Sequence, residues 1–374
     1  MIRMENKMTD KKQYVKIATT FSGIGAAEFA LRRLNINYDV VFACDNAEIE
    51  FAEDEEKIKQ TLASIDDYKE KKAYIDSLIP PKKTNYVKKT YMANYEIDEK
   101  HYHHDVRFLD GKQYKDQVDL FIGGSPCQSF TLFGYQKGLE EARGTLFYEF
   151  ARLIDEIQPK VFIYENVQGL IKHDKGKTWE VVQRVFDSLG YKVCDQVIDA
   201  VDYGIPQKRR RVFIIGFKDH SKQFTVPSTK ELTYTMQDFL IENTAEGNFT
   251  AHGEEIHLVK SPGVVEDRYF LSDRIIPGIM SQGTNGFKMT PKIDLSIARP
   301  LMSSMHKMHR AGVDNYVTTN GRIRKLAPRE CLRLMGFTDD FKQVVSNTQM
   351  YRQAGNSVVV DVLMALIKEI LKVL

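Results

Sequence analysis

Tyr14-Val15-Lys16-Ile17-Ala18-Thr19-Thr20, then Phe21-Ser22-Gly23-Ile24-Gly25, then Ala26-Ala27-Glu28-Phe29-Ala30-Leu31 form a β-rich run, a glycine turn and an apolar-periodic run in direct succession. The first seven residues read as a strand and residues 26–34 as a helix. Glycines at such a junction let backbone approach a ligand, and the helix N-terminus faces it. A second strand is expected over residues 39–43, with Asp45 at its end, where a carboxylate can accept hydrogen bonds from ribose hydroxyls. Turn and acid together point to a nucleoside-bearing cofactor. The plainer reading is a tight turn with no ligand.

The same alternation continues outward. Residues 118–123 read as a strand bounded by Gly123-Gly124. Leu146, Phe147, Phe150, Leu153, Ile154 and Ile157 fall at helical spacing, and Pro159 stops that helix. Residues 161–164 read as a buried strand. Val181, Val182, Val185, Phe186 and Leu189 make another helix face, ended by Gly190, and residues 211–217 close the series as a strand. Strand–helix alternation of this kind predicts a doubly wound α/β sheet. From 218 to 298 the periodicity dissolves into a loop-rich stretch, which predicts a smaller domain. Order returns near 326–335, with a helix entered through Pro328, and residues 357–374 read as an amphipathic helix. That last helix is expected to return to the first sheet. The division is therefore a discontinuous unit, 12–217 plus 346–374, and a small unit with its hinge, 218–345. Residues 49–89 are charged, lack a strand, and read as a helical insertion on the surface.

Composition excludes several classes. Of 374 residues, 43% are hydrophobic and 28% charged, which rules out wholesale disorder. No apolar run approaches the ~18 residues of a membrane span, and residues 1–12 hold no apolar stretch of the kind a secretory leader needs. Cys44, Cys127, Cys194 and Cys331 are far apart and form no CxxC, which argues against structural zinc or a disulfide framework, and so against a metal. A reducing, cytoplasmic setting and a monomer are expected. The formal net charge of +2 is uninformative, but its distribution is sided. Residues 48–56 hold six acids, residues 299–329 hold seven Lys or Arg against Asp314 alone, and residues 208–211 are four consecutive bases. Such a field suits a polyanion, although a solvated basic face gives the same pattern.

Three further segments carry chemistry. Gly124-Ser125-Pro126-Cys127-Gln128-Ser129 follows a strand and places a thiol in a stiff loop at the sheet's carboxyl edge, where α/β ligands sit. Near cations such a thiol can ionise and act as a nucleophile; otherwise it is a buried spacer. Glu165-Asn166-Val167 follows the strand at 161–164, and burial there would raise the carboxyl pKa and let it donate a proton. In the extended run Gln207-Lys208-Arg209-Arg210-Arg211, Gln207, Arg209 and Arg211 share one face, where guanidiniums can meet phosphate, a base oxygen or a carboxylate.

Taken in order, these segments resemble the cytosine-5 DNA methyltransferases over nearly the whole chain: 20–25, Asp45, Tyr91 to Asn94, Asp105, Pro126-Cys127-Gln128, 143–147, Glu165-Asn166-Val167, 207–211, 298–337 and 353–358. The resemblance implies a Rossmann-like S-adenosyl-L-methionine-dependent domain with a smaller target-recognition domain over 218–297, of the bacterial or phage kind that accompanies restriction enzymes. It implies Cys127 as nucleophile, Glu165 as acid, and Arg209 and Arg211 as supports of the target base. It implies a cofactor pocket of Phe21, Gly23, Ile24, Gly25, Asp45, Asn46, Asp105, Val106, Pro126, Leu146, Asn356, Ser357 and Val358. Contacts to double-stranded DNA would come from Gln128, Ser129, Gln207, Arg299, Arg310 and Arg322. Three departures stand out: Thr19 where the family has Asp, Ala26 where it has a further Gly, and the insertion that delays Tyr91 and Asn94.

The implied reaction is methyl transfer to C5 of a flipped-out cytosine through a Cys127–C6 adduct, with a restriction endonuclease as a functional rather than physical partner. The alternative is a tRNA cytosine-5 methyltransferase, whose branch carries a Cys-Phe-Thr tripeptide that is absent here. A nucleotide-dependent oxidoreductase would explain the glycine turn and Asp45 but not Cys127, Glu165 or the arginine run. A catalytically dead DNA-binding regulator would have no reason to keep both triplets.

Overall fold

The structure, a computed structural model, describes residues 14–126, 145–284 and 287–374. β1 (Tyr14–Thr20) leads through the glycine turn into α1 (Ala26–Arg33), then β2 (Asn37–Cys44). Three helices follow, α2 (Glu55–Ala63), α3 (Tyr68–Ser77) and α4 (Tyr86–Asn94), as the charged composition of 49–89 predicts. Asp54, Asp67 and Asn85 cap them, each side chain accepting from backbone N–H groups of the first turn. Next come β3 (Tyr102–His103), β4 (Leu120–Gly123), α5 (Leu146–Ile157), β5 (Val161–Val167), α6 (Lys177–Ser188), β6 (Lys192–Asp199) and β7 (Arg210–Phe217).

These strands make one seven-stranded sheet in the order β3-β2-β1-β4-β5-β7-β6. All pairs are parallel except those of β7, which runs antiparallel to both β5 and β6. The α/β expectation holds, with additions. β6 carries no clear sequence signal, because an edge strand with one buried residue shows little hydrophobic alternation. β5 is longer than the apolar run predicts and includes Glu165-Asn166-Val167 rather than ending before them. The direction of wrapping reverses at β1, so the crevice beyond the carboxyl ends of β1 and β4 is the place for a ligand.

Two cores cover the sheet's faces. One, with Phe121, Phe147, Phe150, Phe162, Tyr164 and Phe186, lies under α5 and α6. The other joins Phe29 and Leu31 of α1 to the C-terminal part of the chain. After β8 (Phe249–His252), β9 (Glu255–Leu258), α7 (Ile276–Ile279), β10 (Gly283–Thr284), β11 (Phe287–Lys288), β12 (Tyr316–Thr319) and β13 (Arg322–Lys325) come α8 (Pro328–Arg333), α9 (Asn347–Asn356) and α10 (Val360–Leu371). α10 does return to the first sheet, packing on α1. More of it is buried than an amphipathic helix predicts, ten of its twelve residues, because α1 and residues 200–203 both pack against it.

The second core takes in Met236, Phe239 and Phe249, and also Leu326, Leu332, Met335, Phe337 and Phe341. Packing therefore does not break at 217 or at 345. A separate satellite cluster holds Leu271, Ile279, Ala311 and Tyr316.

Candidate active site at the carboxyl edge of the sheet

The glycine turn is shaped by backbone requirements. Gly23 and Gly25 have φ of +53° and +78°, and Phe21 shares the left-handed region at 52°. A Cβ on Gly25 would lie 2.2 Å from the Tyr95 ring, so a glycine is needed for both reasons. The Tyr95 hydroxyl donates to the Gly25 carbonyl at 2.6 Å. Ile24 is buried beneath the turn. Asp45, one residue past β2, accepts from the Gly23 N–H at 2.9 Å and from the Ala47 N–H at 2.8 Å. Burial raises the Asp45 pKa while those N–H groups oppose the rise. Asn46 accepts from the Glu48 N–H.

Asp105 follows β3 by two residues. Because Cys44 pairs with His103, and the Asp45 N–H donates to the His103 carbonyl at 3.2 Å, the two acids end adjacent strands. Asp105 caps the turn over Val106 and is held by Arg107, with Nη2 to Oδ2 at 2.6 Å. Leu146 opens α5 and is half-buried. Asn356 is exposed at the end of α9, Ser357 is buried and Val358 half-buried. Two carboxylates on adjacent strand ends lie beside a turn of left-handed glycines and a buried Thr20 hydroxyl that has no partner among the described residues, an arrangement that could offer a ligand acceptors and close backbone approach.

The second half of the site is built on β4, β5 and β7. Asn166 Nδ2 donates to the Ser125 carbonyl at 2.9 Å and to the Tyr164 hydroxyl at 3.0 Å, and that hydroxyl also bonds Ser125 Oγ at 2.7 Å. The loop that leads to Cys127 is thereby pinned at the residue before Pro126. A Cβ on Gly124 would lie 2.6 Å from the Glu165 carbonyl oxygen and 2.9 Å from Oε2, so only a glycine lets this loop pass across Glu165. Glu165 and Arg211 are diagonal neighbours on one face of the β5–β7 pair, and Arg211 Nε sits 3.1 Å from Oε1. Burial raises the Glu165 pKa, and the Arg211 and Arg209 guanidiniums pull against that rise. Pro126 is exposed at the edge. Cys127, Gln128 and Ser129 lie outside the described residues.

Arg209 and Gln207 do face the same side as each other, but their partners are internal. Arg209 is buried and donates to the carbonyls of Leu301, Gly355 and Ser357 at 2.8 to 2.9 Å, tying the start of β7 to the end of α9. Gln207 corrects an expectation. It is fully buried, donates to the Leu334 carbonyl at 2.7 Å and accepts from the Leu301 N–H at 2.9 Å, which leaves nothing for DNA. The basic stretch needs a second correction. Arg324 is fully buried against Glu330 at 2.8 Å and also pairs with Glu242, and Arg329 is buried near Asp339. The exposed cations there include Arg310, whose Nε meets Ser281 Oγ, and Arg322, which pairs with Asp267 and lies over the Phe270 ring. Arg299 is half-buried. Arg310 lines an open cleft of about 630 Å³ with Arg274, Gln282 and His309. Among the described residues no His, Cys, Asp and Glu cluster fits a metal ion, and no helix is long and apolar enough to cross a membrane.

Sequence reading singled out neither Arg107 nor Asn85, although both act at the acids of the site. Arg107 lies two residues after Asp105, a spacing that lets a side chain fold back on its neighbour, but a lone Arg gives no signal of that. Asn85 sits at a helix start and reads only as a cap.

A doubly wound sheet with acids on adjacent strand ends and a guanidinium-paired carboxyl beside a pinned Pro126 loop defines an α/β enzyme of the methyltransferase kind. Solved structures share the fold: the Dnmt2 methyltransferase of S. pombe at a TM-score of 0.63 and 18% identity, covering 96% of this chain and 99% of that one, and the Entamoeba histolytica methyltransferase EhMeth at 0.65 and 16%, covering 96% and 98%. The chain belongs to the C-5 cytosine-specific DNA methylase family, whose profile matches residues 70–372. It is 36% identical over 261 residues to the type II methyltransferase M.HhaI of Haemophilus parahaemolyticus, spanning 69% of this chain and 77% of that one. With M1.ScrFI of Lactococcus lactis subsp. cremoris it shares 34% over 293 residues, 76% and 69% of the two chains. It is a DNA cytosine-5-methyltransferase.

Proposed function

We propose that the enzyme takes the methyl group from S-adenosylmethionine and places it on C5 of a cytosine flipped out of a specific double-stranded DNA sequence, through a covalent bond from Cys127 to C6. The observation that carries this reading is the Asn166–Ser125 clamp together with Gly124, which hold residues 124 and 125 across a half-buried, arginine-paired Glu165. When bound, S-adenosylmethionine supplies an electrophilic sulfonium methyl; Asp45, Asp105 and the glycine turn are the residues that would hold it. The Cys127 thiolate adds to C6, forming the S–C6 bond and moving the ring electrons toward N3 and O2. Glu165, kept protonated to higher pH by burial, donates at N3, and the Arg211 guanidinium stabilises the charge that develops. C5 then takes the methyl, as the sulfonium–methyl bond breaks and S-adenosylhomocysteine departs. A base removes the C5 proton, the C5=C6 bond re-forms, the thiolate leaves and N3 returns its proton to Glu165. None of this can be reached within a duplex, so the base must leave the stack.

The other thiols fit the nucleophile's role less well. Burial pushes the Cys44 and Cys331 thiols well up, and Cys194 up to about 11. Residues 218–297 would set sequence choice, since they lie between the catalytic segments and carry none of them. A restriction endonuclease is proposed as a functional partner.

DNA with fluorine at C5 of the target cytosine tests the mechanism, because it has no proton to lose. With S-adenosylmethionine it should trap the enzyme in a complex stable to denaturing electrophoresis. Cys127→Ala should abolish the complex, and Ala at Cys44, Cys194 or Cys331 should leave it. Methylation by Cys127→Ala at a wild-type rate would overturn the covalent route.

A further inference from the structure

The helical segment 49–89 touches the two acids of the cofactor crevice from outside, at three places. Glu50 Oε2 lies 2.5 Å from Arg107 Nη2, and Glu55 Oε2 lies 3.4 Å from Nη1. The same guanidinium grips Asp105, with Nε to Oδ1 at 3.0 Å and Nη2 to Oδ2 at 2.6 Å. Arg107 is therefore a bridge between the segment and a nearly inaccessible carboxylate (1% exposed). A planar fork shared among three carboxylates has fewer orientations than one that serves a single partner.

The second contact is at Asn85. Its Nδ2 donates to the Asp45 backbone carbonyl at 2.8 Å, while its Oδ1 caps α4 through the Lys88 N–H at 2.7 Å. One side chain thus sets the start of a helix and the position of the acid that holds the glycine turn. The third contact is the Tyr68 hydroxyl, 3.1 Å from His103 Nε2 and 3.1 Å from the Tyr114 hydroxyl. His103 ends β3, two residues before Asp105. Burial pushes its pKa down to about 3, so it stays neutral and the link does not switch near neutral pH.

We propose that segment 49–89 is a brace that sets cofactor affinity, with Glu50, Glu55 and Arg107 positioning Asp105 and Asn85 positioning Asp45. The proposal rests on the cofactor reading given above.

The test uses the full chain without DNA. Two variants remove the links, Asn85→Ala and the double change Glu50→Gln with Glu55→Gln. Lys57→Ala, whose exposed ammonium on α2 pairs with Glu53 just ahead of that helix, is the control. Calorimetry should show the Kd for S-adenosylmethionine rising about tenfold in each linking variant, equivalent to about 1.4 kcal/mol, and unchanged in the control. In turnover, KM for the cofactor should rise while kcat holds. Amide exchange in the cofactor-free chain should quicken at Arg107 and Ala47, whose N–H groups bond Asp105 and Asp45. A lower melting temperature with unchanged Kd and unchanged exchange would overturn the brace and leave only a structural role. A wild-type chain that binds no S-adenosylmethionine would overturn the cofactor reading. Failure of the brace looks different, since the wild type then binds and the variants bind as tightly.

Discussion

Glu28 is a fully buried carboxyl and Glu165 a half-buried one, and their surroundings give them different work. Glu165 has Arg211 at 3.1 Å, so burial raises its pKa while a cation restrains the rise. Replacing it by Gln keeps the shape but weakens proton donation at N3, and the single-turnover rate should fall ~100-fold or more with DNA binding kept. The donating form is the protonated one, so the wild-type rate should decline as pH rises past the raised pKa. Arg211→Ala removes a cation that lowers it. The decline should then move to higher pH, on a lower overall rate, and a pH–rate profile that does not move would separate Arg211 from the acid. Glu28 has no cation paired with it among the described residues. Its Oε1 accepts from Tyr91 at 2.7 Å and Thr19 at 3.1 Å, its Oε2 has no partner among the described residues, and burial raises its pKa. The folded state thus binds a proton that the unfolded chain releases near pH 4.5. The stability this contributes is full below that pH and is lost as pH rises through the folded value. Glu28→Gln should flatten the stability curve above about pH 4.5, the value from which the raised folded pKa departs, measured by denaturant unfolding. Sequence reading placed Glu165 at the site because a motif marks it. It missed Glu28 because an acid one helical turn past a glycine loop looks like a solvated face until Tyr91 and Thr19 close over it.

At the scale of elements, what was legible was what hydrophobic periodicity writes. α5 and α6 each bury one face, and their spacing announces them. β6 was not announced, since an edge strand has little to bury, and the antiparallel turn of β7 is decided by its partners rather than by its own residues. The same limit explains Gln207. Alternation put it on the face with Arg209 and Arg211, but only the return of residues 301 and 334–335 shows that this face is covered. Gln207→Ala should therefore lower stability by ~1–3 kcal/mol, by leaving buried backbone groups without partners, and should not weaken DNA binding by the folded enzyme. Gly124 makes the converse case, a small residue whose constraint is entirely tertiary. In Gly124→Ala, the added Cβ meets strand backbone at 2.6 Å, which cannot swing aside. The loop toward Cys127 should be displaced from Glu165, with the trapped fluorocytosine complex forming far more slowly at near-normal melting temperature. Normal trapping by a folded Gly124→Ala chain would show that this crossing does not position the thiol.

Across the whole molecule, the sequence's basic stretch is two populations with opposite duties. Arg324 and Arg329 face inward, where their charges are matched by Glu330, Glu242 and Asp339 and hold residues 326–341 against α1 and α10. Arg310 and Arg322 face outward, and Arg310 shares its cleft with Arg274 and Gln282, a set able to meet phosphates and base edges. Counting bases along the chain cannot separate these groups, because both give the same local composition and only the long-range partners differ. A salt titration can. Each phosphate contact adds about −0.9 to the slope of log K against log salt, so Arg310→Gln should make that slope shallower by about one unit and leave the melting temperature nearly unchanged. Arg324→Gln should do the reverse. Removing one partner of a buried pair costs ~3–5 kcal/mol, because Glu330 is left buried without its cation, while the salt slope of the surviving folded enzyme keeps its wild-type value. An Arg324→Gln chain that melts normally but loses a unit of slope would place Arg324 on the DNA, and the ion pair with Glu330 would then have to open when DNA binds.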